Sequence, residues 1–363
     1  MSIPICKPDI DDREKQEVLK VMDSGMLASG SYVEEFEECF AAFIGTDYGV
    51  ATSSGTTALQ VALRAAGLGD GDKVLTTPFT FIATSNTLLD CGAEPVFADI
   101  EDTSYNLDPH QLEKILQKNP DIRALLIVHL YGLPCNMEPI MELVKEYDLQ
   151  LIEDCAQAHG AEYRGQKVGA FGQAAIFSFY PTKNMTTSEG GMVVTDHQEI
   201  ADRARMIRDH GSRERYHHQL MGFNYRMTNI AAAIGLVQLE KLPGFNQKRR
   251  QNADFFNQEF AGLEGLQLPE EPEGVTHVYH QYTLGVDNRQ QFLKFLEKRG
   301  IGHGIYYPLP VYRQPLYQQL GYGHLSLPVT EKMSDRVVSL PIHPQLTGEQ
   351  LQTIASSVRD FFG

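Results

Sequence analysis

The sequence predicts an α/β protein with a mainly parallel sheet flanked by helices, and three observations carry that prediction. Short apolar runs alternate with stretches of helical periodicity from about residue 31 to 209. The 363 residues suffice for about two domains at roughly 150 residues each. The composition, 42% hydrophobic and 21% charged, is that of an ordinary folded chain, which excludes a disordered or small stapled scaffold.

The elements follow in order. Ser31-x-x-Glu34 resembles a capping box, and Val33, Phe36 and Phe40 recur at helical spacing, which predicts an amphipathic helix over 31–43. Gly49–Thr52 is a short apolar strand that turns through Ser53-Ser54-Gly55-Thr56-Thr57 into a helix beginning at Ala58. A strand at 73–77, a helix at 82–91 and a strand at 94–98 continue the alternation. Asp108-Pro109 opens a helix over 109–118, and a strand at 123–129, a helix at 137–147 and a strand at 149–153 follow. Strands at 174–179 and 191–195 precede helices at 197–209 and 228–242. Crossover helices of ten or so residues between strands imply parallel pairing. Pro243-Gly244 is turn chemistry, so the boundary between a large domain, 1–244, and a smaller α+β domain, 245–363, is placed there, with residues 1–25 packing on the smaller one.

Charge and cysteine content narrow the function. With 31 basic and 47 acidic side chains the net charge is −16, and the longest basic run is Lys248-Arg249-Arg250, so a phosphate backbone is not an expected partner. The amino terminus lacks a basic segment followed by an apolar run, and no stretch reaches the roughly 18 apolar residues of a membrane span. A cytoplasmic location is expected. Cys6, Cys39, Cys91, Cys135 and Cys155 are scattered and odd in number, which points to reduced thiols and to no metal site.

Ligands of open α/β sheets bind beyond the carboxyl ends of the strands. Ser54-Gly55-Thr56-Thr57 lies at such an end, where free N–H groups and a helix dipole suit a phosphate; the same turn also suits a simple N-cap. Asp154 follows another strand and is placed to hold a protonated ring nitrogen or to cap the next turn. Lys183 follows the strand 174–179, where desolvation would free its amine for Schiff-base chemistry; a solvated surface charge is the alternative. Together these are the three protein groups that pyridoxal 5'-phosphate requires.

The residues resemble the DegT/DnrJ/EryC1/StrS sugar aminotransferases, of the fold-type I aspartate aminotransferase superfamily. The resemblance rests on Ser53–Leu59, Pro78–Thr84, Val128–Gly132, Glu153–Gly160, Ser178–Asn184 with Glu189-Gly190-Gly191, and Gly222–Met227, in the family's order. It implies a large domain carrying pyridoxal phosphate and a smaller C-terminal domain. By this resemblance Lys183 is the Schiff-base lysine, Asp154 pairs with the pyridinium nitrogen and Gln157 lies near the phenolic oxygen. Phe81 stacks on the ring, Gly55, Thr56 and Ser178 bind the phosphate, and Asn224 reaches the phosphate of a neighbouring subunit, which implies a homodimer with composite sites. Related sugar dehydratases carry histidine in place of Lys183, so the lysine indicates transamination. Pro181 and Ser188 depart from the commonest family pattern without removing a cofactor contact.

What the resemblance implies is amino transfer from glutamate to a keto group of a nucleotide-linked deoxysugar, with the run Lys183–Gly191 closer to members that act at C4 than at C3. A keto-cyclitol acceptor uses the same machinery, and a noncatalytic regulatory relative is the reading from another class. For a dianionic substrate the candidate contacts are Arg213 and His217, beside Arg215 and His218, and Tyr306 and Arg313 in the small domain.

Overall fold

The computed structural model describes residues 2–363. Helices α1 (Asp12–Ser24) and α2 (Ser31–Ile44) lead into β1 (Tyr48–Thr52), α3 (Gly55–Ala65), β2 (Lys73–Thr76), α4 (Ala83–Asp90), β3 (Glu94–Phe97) and α5 (Pro109–Leu116). Next come β4 (Ile122–Val128), α6 (Met137–Glu146), β5 (Gln150–Asp154), the short strands β6 (Glu162–Tyr163) and β7 (Gln166–Lys167), β8 (Ala174–Ser178), β9 (Gly191–Thr195) and α7 (Gln198–Arg208). A small hairpin, β10 (Ser212–Glu214) and β11 (His217–His218), precedes the long α8 (Asn229–Phe260). The chain ends with β12 (Leu266–Gln267), β13 (Val275–Thr276), β14 (Tyr282–Val286), α9 (Arg289–Lys298), α10 (Pro315–Gln319), α11 (Pro328–Arg336), β15 (Val337–Leu340) and α12 (Gly348–Phe362).

The expected α/β class holds. Seven strands form one sheet in the order β1-β9-β8-β5-β4-β2-β3. Only β9 runs antiparallel to its neighbours; every other pair is parallel. Both faces are covered, and the period of two along each strand sorts side chains between them. In β8, Ala174 and Ile176 join the core under α3 and α7, whereas Ala175 and Phe177 join the core under α2 and α8. In β5, Ile152 belongs to the α3 side and Leu151 to the α5–α6 side. By the same parity Val128, Asp154 and Ser178, the last residues of β4, β5 and β8, face the α3 side, while Glu153 faces away. A three-stranded antiparallel sheet, β12-β14-β15, packs with α9, α12 and the second half of α8 over a separate core.

Two local expectations are corrected. Ser31 is the first helical residue of α2 rather than its cap, and the capping box with Glu34 does not form. Asn229 takes over that work: its Oδ1 accepts from the Val33 N–H at 3.4 Å and its Nδ2 donates to the Met26 carbonyl at 2.8 Å. The turn expected at Pro243-Gly244 is absent as well, because α8 runs for 32 residues straight through it. A proline inside a helix costs about 3 kcal/mol. Burial on both sides offsets it. Leu239 and Leu242 pack into the large-sheet core before the proline, and Ala253, Phe256 and Phe260 into the C-terminal core after it. Between them Asn246 accepts from Asn184 and donates to the His159 carbonyl, each at 2.8 Å. At the other end of the chain, Ile3 pairs with Ile301 and is buried in the C-terminal core, and α1 is tied to α8 by Gln238 and Lys241 on Glu14. Among the described residues no helix is long and apolar enough to cross a membrane.

Glu153, fully buried, gathers the ends of β4 and β5. Its carboxylate accepts from the N–H groups of Gly169, Phe171 and Gly172 at 2.8–2.9 Å and bonds His129 Nε2 at 3.0 Å. His129 Nδ1 accepts from the Cys135 N–H, so the ring proton sits on Nε2 and is donated to Glu153. The His129 main-chain N–H in turn donates to the Asp154 carbonyl. Gly172 permits the close approach, since a Cβ there would lie 2.5 Å from the Leu151 carbonyl oxygen. Glu153→Ala leaves four buried donors without an acceptor and should lower the unfolding free energy by about 3–5 kcal/mol, read as a fall in the urea midpoint at unchanged slope.

Candidate active site

Beyond the carboxyl ends of β4, β5 and β8 lies a cavity of about 670 Å³. Its lining includes seven of the residues expected from the sequence to hold cofactor, Gly55, Thr56, Phe81, Asp154, Gln157, Ser178 and Lys183, together with Tyr306. At one end is the start of α3. Ser54 caps the helix, accepting from the Thr57 N–H at 3.2 Å while Thr57 Oγ1 accepts from the Ser54 N–H at 2.9 Å. The turn is a cap, and capping leaves the Gly55 and Thr56 N–H groups without an intrahelical partner, a geometry suited to an anion. Ser178 lies directly against it. A Cβ on Gly55 would stand 2.6 Å from the Ser178 Cβ, so only glycine brings the serine hydroxyl onto the helix end.

Asp154, 6% exposed, forms part of the wall. Thr84 Oγ1 donates to its Oδ2 at 2.9 Å and the Ala156 N–H to its Oδ1 at 3.1 Å. With the Thr84 proton committed to Asp154, the 3.0 Å contact between Thr80 and Thr84 has Thr80 as donor. Burial raises the carboxyl above its ordinary value, opposed by those hydrogen bonds and by Lys183. An aspartate so desolvated gains most from a cation placed beside it. Lys183 shows the complementary effect: burial pulls its ammonium down to about 8, with Asp154 opposing.

Gln157 is oriented at both ends of its amide. Its Oε1 accepts from the Tyr131 N–H at 2.8 Å and its Nε2 donates to the Tyr307 hydroxyl at 3.2 Å. Phe81 is 57% exposed, which rules out a core-packing role, and its ring centroid lies 6.2 Å from that of Tyr307. The donor set suits a flat, phosphate-bearing ring with a protonated nitrogen and a carbonyl: free N–H groups at one end, a buried carboxylate in the wall, and an amine of depressed basicity. This donor set fits pyridoxal phosphate chemically.

Four expected residues lie elsewhere. Asn224 is exposed outside the cavity, its main chain paired with Asp209. Arg213 and His217 are on the exposed β10–β11 hairpin, where Arg213 contacts Asp202 at 3.3 Å. Arg313 lies outside the cavity lining as well. It donates to Glu331 at 2.8 Å and lies 5.3 Å over the Tyr312 ring. The sequence reading missed Thr80, Thr84, Tyr307, Glu189, His280 and Gln281, which also line the cavity. Thr80, Thr84 and Glu189 lay inside recognised segments and Tyr307 stands next to the expected Tyr306; nothing in the sequence marked His280 and Gln281.

The model of the DegT/DnrJ/EryC1/StrS aminotransferase family matches residues 8–359. The chain belongs to this family. It is an aminotransferase, and its relatives span it almost completely. It is 40% identical over 341 residues to the UDP-N-acetyl-3-dehydro-α-D-glucosamine 3-aminotransferase of Acidithiobacillus ferrooxidans, covering 94% of this chain and 91% of that one. To the "Pleiotropic regulatory protein" of Geobacillus stearothermophilus it is 38% identical over 372 residues, covering 100% and 99%. Among solved structures, Helicobacter pylori PseC, an aminotransferase involved in the biosynthesis of pseudoaminic acid, superimposes with a TM-score of 0.95 at 32% identity over 100% of this chain and 99% of that one.

Two outcomes follow for the aminotransferase. Gly55→Val should push Ser178 off the α3 end and weaken pyridoxal phosphate binding about tenfold, the loss of one hydrogen bond, in a fluorescence titration of a normally folded protein. In the ligand-free protein, reductive methylation of Lys183 should rise about tenfold per pH unit and level off near 8, whereas a surface lysine keeps rising toward about 10.4. The sign follows from the depressed basicity: the reactive free amine dominates above pH 8.

Proposed function

We propose that the protein moves an amino group from glutamate to a keto group of a nucleotide-linked deoxysugar, with pyridoxal phosphate held by Lys183. The observation that carries this reading is the meeting, in one cavity, of the α3 cradle, buried Asp154 and the depressed amine of Lys183. Pyridoxal phosphate, when bound, supplies an electron sink that makes the carbon bearing the amine acidic. The chain does the rest. Gly55, Thr56 and Ser178 hold the phosphate, Asp154 keeps a proton on the ring nitrogen, Phe81 covers one ring face, and Gln157, fixed by Tyr131 and Tyr307, donates through its remaining N–H. Lys183 Nζ would be the nucleophile that anchors the cofactor and the base that takes up and returns the proton made acidic by it. A depressed basicity near neutral pH is what both tasks need.

Among the described lining residues Lys183 is the only lysine or arginine. A diphosphate linker and a donor carboxylate need more positive charge than that. Arg213, Arg215, His217 and His218 stand exposed on the hairpin, and Asn224 is exposed close after it. We assign them to the cavity of a second copy, in a homodimer with composite sites. The name of the Acidithiobacillus relative supports a nucleotide-sugar acceptor, aminated there at position 3; the Lys183–Gly191 run supports C4. A purely regulatory role, suggested by the Geobacillus name, gives no reason to keep an amine desolvated against a buried carboxylate.

The test is the visible spectrum of the protein with pyridoxal phosphate before and after glutamate, followed by 3-keto and 4-keto nucleotide sugars and keto-cyclitols as acceptors. Conversion of the bound cofactor to its amine form, then turnover with a nucleotide sugar alone, is the expected result; a spectrum that glutamate leaves unchanged overturns the donor, and turnover only with cyclitols overturns the acceptor. Mixing inactive Lys183→Ala and Asn224→Ala proteins should restore about a quarter of wild-type activity, since half of randomly exchanged dimers are mixed and each has one intact site. No recovery after verified exchange would sink the composite site.

A further inference from the structure

A second and much smaller cavity lies where the amino-terminal segment, the loop that carries Lys183 and the middle of α8 meet. It measures about 10 Å³, room for one water-sized particle, and its lining includes Cys6, Lys7, Asp9, Lys183 and Arg249. Arg249 is the unusual member. It is 4% exposed, and both of its hydrogen bonds leave from Nη1, to the carbonyls of Tyr279 and His280 at 3.1 and 3.3 Å. Its Nε is buried with no partner. Burial pulls the guanidinium down to about 10, which leaves it charged at neutral pH. The next residue, Arg250, is less buried and has Glu271 for a partner, whereas no ion pair among the described residues includes Arg249. Buried charges are ordinarily paired, because an uncompensated one keeps the full cost of leaving water.

The surroundings do not supply the missing charge. Lys7, Lys183 and Arg249 outnumber Asp9, the one acid of the lining. Burial pushes the Cys6 thiol up, so it stays protonated, and its Sγ lies 3.9 and 3.7 Å from the carbonyls of Pro181 and Thr182. Polar groups short of partners extend to His343, the residue before Pro344 of the lining. Both of its ring nitrogens are buried without a partner, and its carbonyl accepts at 3.4 Å from Asn252, which stands one turn along α8 from Arg249. A water would satisfy an N–H here but would leave the cation uncompensated. The volume suits one monatomic ion and is too small for sulfate, phosphate or an organic acid.

We propose that this cavity is a halide site, in which Arg249 holds one chloride ion between the amino-terminal segment and the Lys183 loop. The same guanidinium holds the Tyr279 and His280 carbonyls, so the ion would brace the backbone that places His280 in the wall of the larger cavity. The site is separate from the aminotransferase reading and stands or falls without it.

The experiment uses the whole protein with chloride and bromide as probes. Melting is followed as sodium chloride or bromide replaces sodium gluconate at constant ionic strength, in wild type and in Arg249→Met, which keeps much of the side-chain length and removes the charge. Wild type should gain about 3 °C at a hundredfold excess over Kd, in a saturable curve, and Arg249→Met should lose that increment whatever its own melting point. A purely structural arginine changes the melting point without a halide-dependent part. Crystals of wild type in bromide, measured at the bromine absorption edge, should show an anomalous peak beside Arg249. Density with no anomalous signal means a water and overturns the proposal. A peak in crystals with no saturable gain in solution means binding at crystal concentration only, and also overturns it. Should Arg249→Met not fold, the wild-type curve and the bromide peak decide together.

Discussion

Everything at the carboxyl edge of the large sheet depends on a buried carboxylate that never meets the ligand. Glu153 takes four hydrogen bonds from a turn and a histidine on the far face of β5. Burying an ion is tolerable only when its acceptor capacity is filled, and here filling it gathers the 169–172 turn and the end of β4 around the end of β5. The next residue along, Asp154, must then point to the opposite face, toward α3. Strand parity thus converts a structural anchor into the aim of a functional group. The same parity brings Val128 and Ser178 to that face, and the cavity is the space these ends enclose.

The electrostatics of the cavity are built by withholding water rather than by concentrating charge. Asp154 and Lys183 are each pushed toward neutrality by desolvation, and each partly restores the other. Such a pair is poised: a ligand with a ring cation satisfies the first, and a carbonyl consumes the second. A net charge of −16 spread over the surface is compatible with an anionic substrate because the favourable groups there are N–H dipoles and hydroxyls in a confined space, together with basic side chains on an exposed hairpin.

Much of the fold was legible in the sequence because α/β alternation is written twice, as period two in strands such as Ala174–Ser178 and as helical spacing in Val33, Phe36 and Phe40. What failed was local chemistry overruled at long range. Ser31 looked like a cap, but Asn229, some two hundred positions away, already satisfies the end of α2. Pro243-Gly244 looked like a turn, but packing on both flanks outweighs the proline. Asp154, Ser178 and the Ser54–Thr56 turn were readable because they sit at or just beyond strand ends, whereas Thr80, Thr84 and Glu189, which line the same cavity, carried no such mark. The pairing of Arg313 with Glu331 cannot be inferred from spacing, and His280 was invisible because its placement in the cavity wall arises from Asn184 and Arg249, contacts between distant segments.

The continuity of α8 has a further consequence. At 1.5 Å per residue its 32 residues make a rod about 48 Å long, with one half seated in each core. The two sheets are thus joined by a stiff strut where a flexible tether would ordinarily be sought. Relative motion of the two parts would have to bend this rod or slide along it, so the architecture favours shear over swinging. For anyone splitting, permuting or inserting into the gene, the dipeptide that reads as a natural cut point is one of the poorest choices, and the exposed hairpin tip near Arg215 and Tyr216 is intrinsically more permissive to the fold, at the expense of whatever that hairpin touches.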